Sequence, residues 1–363
     1  MAGAAVSFRR VAKRYGEVSA LADFDLEVAP GEFMTFLGPS GSGKTTALNV
    51  LAGFVDPSEG EVLIDGRSVL PLPPERRQLG MVFQSYTLFP HMNVFDNVAF
   101  PLRLRRRPKR EVAEKVAAGL EMVRLSGLEA RMPKELSGGQ RQRVAFARAV
   151  VFEPPVLLMD EPLGALDLKL RQAMQLEIKR YHAELGCTII FVTHDQGEAL
   201  ALSDRVAVMG EGRIAQVDTP ERIYDRPLSR YVAEFIGKTN ILTLEERPGG
   251  RLALVGTGCE LPAEALSEAA RALKTLSLRP EKLHRSTDAE GGPSLEARVG
   301  EVLFLGDIVQ YDVLLPSGRS LIFQEHRGPE TPILKRGDEV RLGFRLSDAL
   351  PVASDGSGQG LGL

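Results

Sequence analysis

Phe33-Met34-Thr35-Phe36-Leu37-Gly38-Pro39-Ser40-Gly41-Ser42-Gly43-Lys44-Thr45-Thr46 runs from an apolar stretch straight into a glycine-rich turn and on into a helical pattern. The apolar stretch reads as a buried strand, and residues 45–54 read as a helix because Ala47, Leu48 and Leu51 fall on one face. Residues 57–60 close that helix into a turn. Glycines between a strand and a helix let successive backbone N–H groups wrap an anion, and the helix N-terminus adds a favourable dipole. The spacing from Gly38 to Thr45 fits the P-loop pattern. In that pattern Lys44 neutralises the β- and γ-phosphates of a nucleotide and Thr45 ligates magnesium, while Gly38, Pro39, Ser40, Gly41, Ser42, Gly43 and Thr46 complete the cradle.

Working outward, residues 24–28 alternate like a strand and break at Pro30-Gly31 before the buried run begins. Two more buried-strand candidates, Val156-Leu157-Leu158-Met159 and Thr188-Ile189-Ile190-Phe191-Val192, flank a helical pattern carried by Leu170, Met174, Ile178, Tyr181 and Leu185. Strand, helix, strand in that order predicts a parallel sheet and an α/β fold. Residues 95–131 are rich in Arg, Lys, Glu and Ala, with a helix expected over 110–125, and read as a helical subdomain.

Two further motifs add chemistry. The strand at Val156 runs into Asp160-Glu161-Pro162, which places one carboxylate to hold Mg²⁺ and the next to orient an attacking water. Leu136-Ser137-Gly138-Gly139-Gln140 opens a helix over 140–150, so its backbone amides present a second anion site.

With Ser137, Gly138, Gly139 and Gln140 in place, the chain resembles the ATP-binding cassette (ABC) ATPases. The resemblance implies that this signature binds the γ-phosphate of ATP held in a second subunit's P-loop, so that the active unit is a homodimer with ATP and Mg²⁺ sandwiched between subunits. It implies that Tyr15 stacks on adenine and that Gln84, in Val82-Phe83-Gln84, is the glutamine that reaches the metal and the catalytic centre. It further implies that Asp167, closing Leu163-Gly164-Ala165-Leu166-Asp167, lies on a loop crossing the dimer interface, and that His194 contacts the γ-phosphate. Glu161, His194 and Gln84 are then the expected catalytic residues, and Thr45, Gln84 and Asp160 the expected metal ligands. Gly164 stands where serine is common in such loops, which puts one interface hydrogen bond in question.

Length and composition agree with two domains. The chain has 363 residues, 44% hydrophobic and 26% charged, with a net charge of -3 that supplies no basic field for nucleic acid. Its two cysteines, Cys187 and Cys259, lie in no metal-ligand spacing and fit a reducing compartment. Neither a signal-peptide core nor a spanning run occurs in the sequence, so a membrane role is expected to pass through partners. From about Ile241 short alternating strands appear, such as the one holding Val309, Tyr311, Val313 and Leu315 and the one holding Val340, Leu342 and Phe344.

This C-terminal part resembles the oligomer-binding-fold-like TOBE extension of bacterial ABC importers, through Phe235-Ile236-Gly237-Lys238-Thr239-Asn240 at its entry and Leu278-Arg279-Pro280-Glu281 inside. The expected fold is an α/β P-loop NTPase, an ABC cassette with a helical subdomain, followed by a small all-β OB-like (TOBE) domain. The expected domains are 4–236 for the ATPase, with the helical subdomain at about 88–152, then 237–352 for the β domain and a disordered tail at 353–363. The resemblance implies an ATPase subunit at the cytoplasmic face of the inner membrane, partnered by two polytopic permease subunits and indirectly by an extracytoplasmic solute-binding protein. Polyamine (spermidine/putrescine) importers are the nearest subgroup, with ferric-iron, sulfate and sugar importers, or a soluble regulatory ABC ATPase, as alternatives.

Residues 85–100 match the segment where permease helices dock in such importers. The stretch 88–98 combines exposed-type apolar residues with capping Asn and Asp, which suits a groove and also a subdomain junction. The basic run 103–110 reads as a solvated helical edge, and His91, His182, His284 and His326 are left as structural histidines.

Overall fold

The computed structural model describes residues 3–84, 88–164, 166–248, 251–286, 292–328 and 331–354. Ser85, Tyr86 and Thr87 of the expected docking segment, Ala165 of the expected interface loop, and the tail from residue 355 lie outside the described residues. The chain forms two compact units, Met1–Glu221 and Arg222–Leu363.

In the first unit the elements run β1 (Val6–Tyr15), β2 (Val18–Val28), β3 (Phe33–Leu37), α1 (Lys44–Ala52), β4 (Glu59–Ile64), β5 (Arg67–Ser68) and β6 (Leu79–Val82). They continue through α2 (Val94–Leu104), α3 (Lys109–Met122), α4 (Gly138–Val150), β7 (Val156–Asp160), α5 (Leu168–Leu185), β8 (Thr188–Thr193), α6 (Gln196–Leu202), β9 (Arg205–Gly210) and β10 (Arg213–Asp218). Two sheets result, one ordered β2-β1-β4-β5 and the other β10-β9-β3-β8-β7-β6. In the larger sheet β9, β3, β8, β7 and β6 pair in parallel, and only β10 pairs antiparallel.

Every residue of β3 and β8 is buried, as a parallel strand covered on both faces requires. One core packs helices α2 to α5 against one face through Phe33, Leu157, Met159, Ile189 and Phe191. A second core packs α1 and the antiparallel sheet against the other through Met34, Phe36, Leu158, Ile190 and Val192. The alternation of Phe33/Met34 and Leu157/Leu158 between the two lists is the period of two expected of a strand.

The expected helix over 45–54 begins at Lys44 and ends at Ala52 instead of residue 54. Gly53, at φ 85°, turns left-handed and sends its N–H back to the carbonyls of Asn49 and Val50, which stops the helix there. The segment 88–98 needs a larger correction. Leu88, Val94 and Val98 are buried in the core rather than exposed, because Val94, Val98 and Leu102 form one stripe of α2. Asn97 is fully buried and brackets the entry to α2, donating to the carbonyls of Phe89, Met92 and Asn93 and accepting from the Phe89 N–H. Phe89 and Met92 remain half-buried, and His91 is exposed.

The basic run is largely matched locally. Arg103 pairs with Asp96 at 2.8 Å and Arg110 with Glu114 at 2.8 Å, while Arg105 lays its guanidinium 3.7 Å from the centre of the Phe152 ring. These contacts fit a solvated edge of the helical layer.

The division between units falls inside α7 (Pro220–Asp225). In the second unit α8 (Arg230–Phe235) precedes β11 (Asn240–Arg247), β12 (Arg251–Leu254), β13 (Glu260–Leu261), α9 (Glu268–Leu273) and β14 (Thr275–Leu278). Strands β15 (His284–Arg285), β16 (Ser294–Phe304), β17 (Ile308–Leu314), β18 (Ser320–His326), β19 (Glu339–Gly343) and β20 (Ala349–Pro351) follow. They form two five-stranded sheets, β13-β12-β11-β14-β20 and β15-β19-β16-β17-β18, with every pairing antiparallel. Inward residues of both sheets share one core, in which Tyr311 stacks on Phe323 with ring centres 5.4 Å apart.

Candidate nucleotide-hydrolysis site

Because β3, β8, β7 and β6 are parallel neighbours, their C-terminal ends lie along one edge of the sheet. Each end releases a candidate residue there: Gly38 and the glycine loop after β3, His194 after β8, Glu161 after Asp160 of β7, and Gln84 just after β6. Residues separated by more than a hundred positions are thus gathered by strand order alone.

The glycine loop is shaped by contacts that exclude side chains. Gly43 stands at φ 97°, and a Cβ on it would meet the Ala20 carbonyl oxygen at 2.5 Å and Leu21 Cδ2 at 2.9 Å. Lys44, only 5% exposed, donates from Nζ to the carbonyls of Gly38 at 2.7 Å and Pro39 at 2.8 Å. Burial holds its ammonium below the usual lysine range, against the opposing pull of Glu161 and Asp160. The Ser42 hydroxyl is buried in the same loop without a hydrogen-bond partner. A desolvated ammonium served by neutral carbonyls and an orphaned hydroxyl are groups that a bound phosphate chain satisfies.

Thr45 Oγ1 donates to Asp160 Oδ1 at 3.3 Å. Burial lifts the Asp160 carboxyl above the usual carboxylate range, with the Thr45 bond and Lys44 working against that rise. A hydroxyl and a carboxylate, both hard oxygen donors, fit Mg²⁺, which characteristically takes few protein ligands and fills the rest of its octahedron with phosphate oxygens and water.

Glu161 is grasped from two sides. Gln84 Nε2 donates to its Oε2 at 3.1 Å, and His194 Nδ1 lies 3.1 Å from its Oε1. Its backbone N–H donates to the Val192 carbonyl at 2.9 Å, and its φ of 45° is left-handed, a conformation costly for a residue with a side chain. The carboxylate is therefore aimed by the backbone as well as by its neighbours.

No hydrogen bond or ion pair among the described residues ties Tyr15 or Ser137–Gln140 to this group. Tyr15 is half exposed, with the Lys13 ammonium 5.0 Å from its ring centre. Ser137 caps α4 in a reciprocal box: its Oγ accepts from the Gln140 N–H at 3.3 Å, and Gln140 Oε1 accepts from the Ser137 N–H at 2.9 Å. Two of the amides expected for an anion, those of Ser137 and Gln140, are thus occupied by the cap, while Ser137 and Gly138 stand exposed. Asp167 likewise caps α5 by accepting from the Leu170 N–H at 2.9 Å. Thr46 is half-buried on α1.

Sequence reading missed a polar cluster behind His194. Arg171 Nη1 pairs with Asp195 Oδ2 at 3.0 Å, and Thr193 Oγ1 donates to Glu198 Oε2 at 2.6 Å. The Asp195-x-x-Glu198 spacing is a helix N-terminus signature, and the Asp195 carboxylate does accept from the Glu198 N–H at 3.0 Å. Gln142 was also missed: it is buried on α4 and donates to the Pro162 carbonyl at 3.0 Å, directly after Glu161.

The described residues contain no helix long and apolar enough to cross a membrane. The ABC transporter family matches residues 21–164, and the TOBE domain family matches residues 276–351. A spermidine/putrescine import ATP-binding protein of Rubrobacter xylanophilus is 48% identical over 347 residues, covering 94% of this chain and 91% of that protein. Its counterpart of the same name in Frankia alni is 46% identical over 362 residues, covering 94% of this chain and 78% of that protein. Among solved structures, a dimeric ATP-binding cassette in a post-hydrolysis state bound to ADP and Pi matches with a TM-score of 0.53 at 34% identity, covering 59% of this chain and 98% of that one.

Proposed function

The chain belongs to the ATP-binding subunits of ABC transporters, and on that premise we propose that it hydrolyses ATP to power the import of polyamines. The observation that carries the reading is the convergence of Lys44, the Thr45–Asp160 pair, Gln84, Glu161 and His194 on one edge of the parallel sheet. The names of the relatives support polyamine as the cargo. The β domain, which matches the TOBE family, accords with an importer.

Each residue has a task in phosphoryl transfer, which is mostly positioning and electrostatics. Lys44 exchanges two neutral carbonyls for phosphate oxygens, gaining a charge-assisted bond for an ammonium that is already buried. Thr45, Asp160 and the amide oxygen of Gln84 would hold Mg²⁺, which when bound would supply positive charge beside the phosphates. Glu161 accepts a hydrogen bond from the attacking water and draws its proton, while His194 fixes the carboxylate and reaches the γ-phosphate. The adenine stacks on the open face of Tyr15.

Ser137 retains its hydroxyl hydrogen when its oxygen accepts from Gln140, so it can still donate to a phosphate. Ser137 is exposed, and the likeness of its segment to the ABC signature supports a reading in which the phosphate it serves belongs to a second copy, with two ATPs enclosed in a homodimer. We assign the ATPase work to residues 4–236, with the helical subdomain at 88–152, and the β domain to 237–352. Two membrane permeases and an extracytoplasmic binding protein complete the importer, with this chain at the cytoplasmic face.

Uptake of labelled spermidine and putrescine in cells lacking and regaining the chain tests the cargo, with ATP hydrolysis by the purified chain as its companion. Restored polyamine uptake is expected. Unchanged polyamine uptake with loss of ferric iron, sulfate or sugar uptake would reassign the cargo and leave the ATPase intact.

A further inference from the structure

Arg171 sits in the first turn of α5, four residues beyond Asp167, and its guanidinium bonds two partners and faces a third. Nη2 donates to the Leu166 carbonyl at 3.3 Å, Nη1 to Asp195 Oδ2 at 3.0 Å, and Nε lies 3.7 Å from Glu198 Oε1. The first partner belongs to the loop before Asp167, the second caps α6 next to His194, and the third lies in the first turn of α6. Just before His194, Thr193 Oγ1 donates to Glu198 Oε2 at 2.6 Å and accepts from the Asp195 N–H at 3.0 Å. His194 is therefore flanked on both sides by residues tied to this cluster. Glu198 is 2% exposed and Arg171 is the cation paired with it, so the guanidinium cannot leave without stranding a buried carboxylate.

We propose that Arg171 is a positioning residue that transmits the state of the Leu166–Asp167 loop to His194, and so makes hydrolysis depend on the presence of the second subunit. The proposal rests on the ATPase reading, in which that loop meets the partner copy. The chemistry is specific to a planar fork. A displacement of Leu166 rotates the guanidinium, which carries Asp195, and with it the backbone that aims His194 at Glu161. Nε is buried without a hydrogen-bond partner and stands beyond bonding distance of Glu198, which leaves room for a second seating of the fork in which that bond closes. A lysine can satisfy one of these acceptors but cannot bridge the loop and the turn together.

The test compares the full-length chain with Arg171→Lys, Asp195→Asn and the double variant, following ATP hydrolysis against ATP concentration and thermal melting. Expected for each single variant are a turnover lowered about tenfold, a KM for ATP within about twofold, and a Hill coefficient falling toward 1, with the double variant no worse than either single. Unchanged turnover and Hill coefficient in a folded Arg171→Lys would overturn the proposal, as would single-variant losses that multiply independently. A lowered melting temperature with intact cooperativity would also overturn it, since it assigns Arg171 to the fold alone. A parent chain that hydrolyses no ATP overturns instead the functional reading beneath it.

Discussion

His194 and Glu161 meet at 3.1 Å, Nδ1 to Oε1, although they leave the sheet from different strands. The contact exists because β7 and β8 are adjacent and in parallel register, with Asp160 opposite Val192, so that the residues just past each end are neighbours. With Gln84 on the second oxygen, the carboxylate has no freedom to wander.

That restraint predicts a clean separation of binding from turnover. Glu161→Gln keeps the shape and loses the proposed proton acceptor, so turnover should fall at least about 100-fold while ATP affinity is retained. Single-turnover hydrolysis beside a nucleotide titration measures both.

His194→Ala releases one side of the carboxylate and removes the donor proposed for the phosphate. Turnover should drop by about 10²-fold with KM little changed, the pattern of an interaction made mainly in the transition state. A rise in KM at constant turnover would place His194 in ground-state binding instead.

Lys44→Met removes a buried ammonium whose burial already disfavours its charge. Without nucleotide the melting temperature should move little, within about 2–4 °C, the shift of roughly 1 kcal/mol in a unit of this size. The additional stabilisation by Mg-ATP, large in the parent chain, should vanish, and differential scanning fluorimetry reads both numbers.

Gly43→Ala meets both a left-handed backbone and the Ala20 carbonyl at 2.5 Å. It should cost about 1–3 kcal/mol of stability and abolish nucleotide binding, as measured by urea denaturation and nucleotide titration.

Tyr181 is buried, donates to Glu177 Oε2 at 3.2 Å, and its hydroxyl is pushed up to about 12 from 10.0, first by burial and then by Glu177. The folded chain holds this proton more tightly than the unfolded chain, so its contribution to stability is whole below pH 10 and is lost as pH rises through about 12. Tyr181→Phe should therefore lose about 1 kcal/mol at neutral pH and show a shallower fall in melting temperature on the alkaline side.

Strands β3, β7 and β8 were legible because strands buried on both faces must be written in apolar residues throughout. The grouping of Lys44, Asp160, Glu161 and His194 was legible to the extent that their motifs end or follow those strands. The burial of Leu88, Val94 and Val98 was not legible, because they show the same apolar character whether they face a partner or a core. The bridge from Arg171 to Asp195 and Glu198 was invisible for a different reason. It spans 24 positions to Asp195 and exists only because α5 and α6 lie side by side, a fact of packing that no local spacing encodes.

Glu161 occupies a left-handed backbone that glycine adopts freely and glutamate does not. Selection for heat resistance alone would thus reward its loss. Such a lineage would drift toward glycine at this position and shed about 1 kcal/mol of backbone strain. On the role proposed for Glu161, it would end as a less strained chain that grips its nucleotide and never spends it.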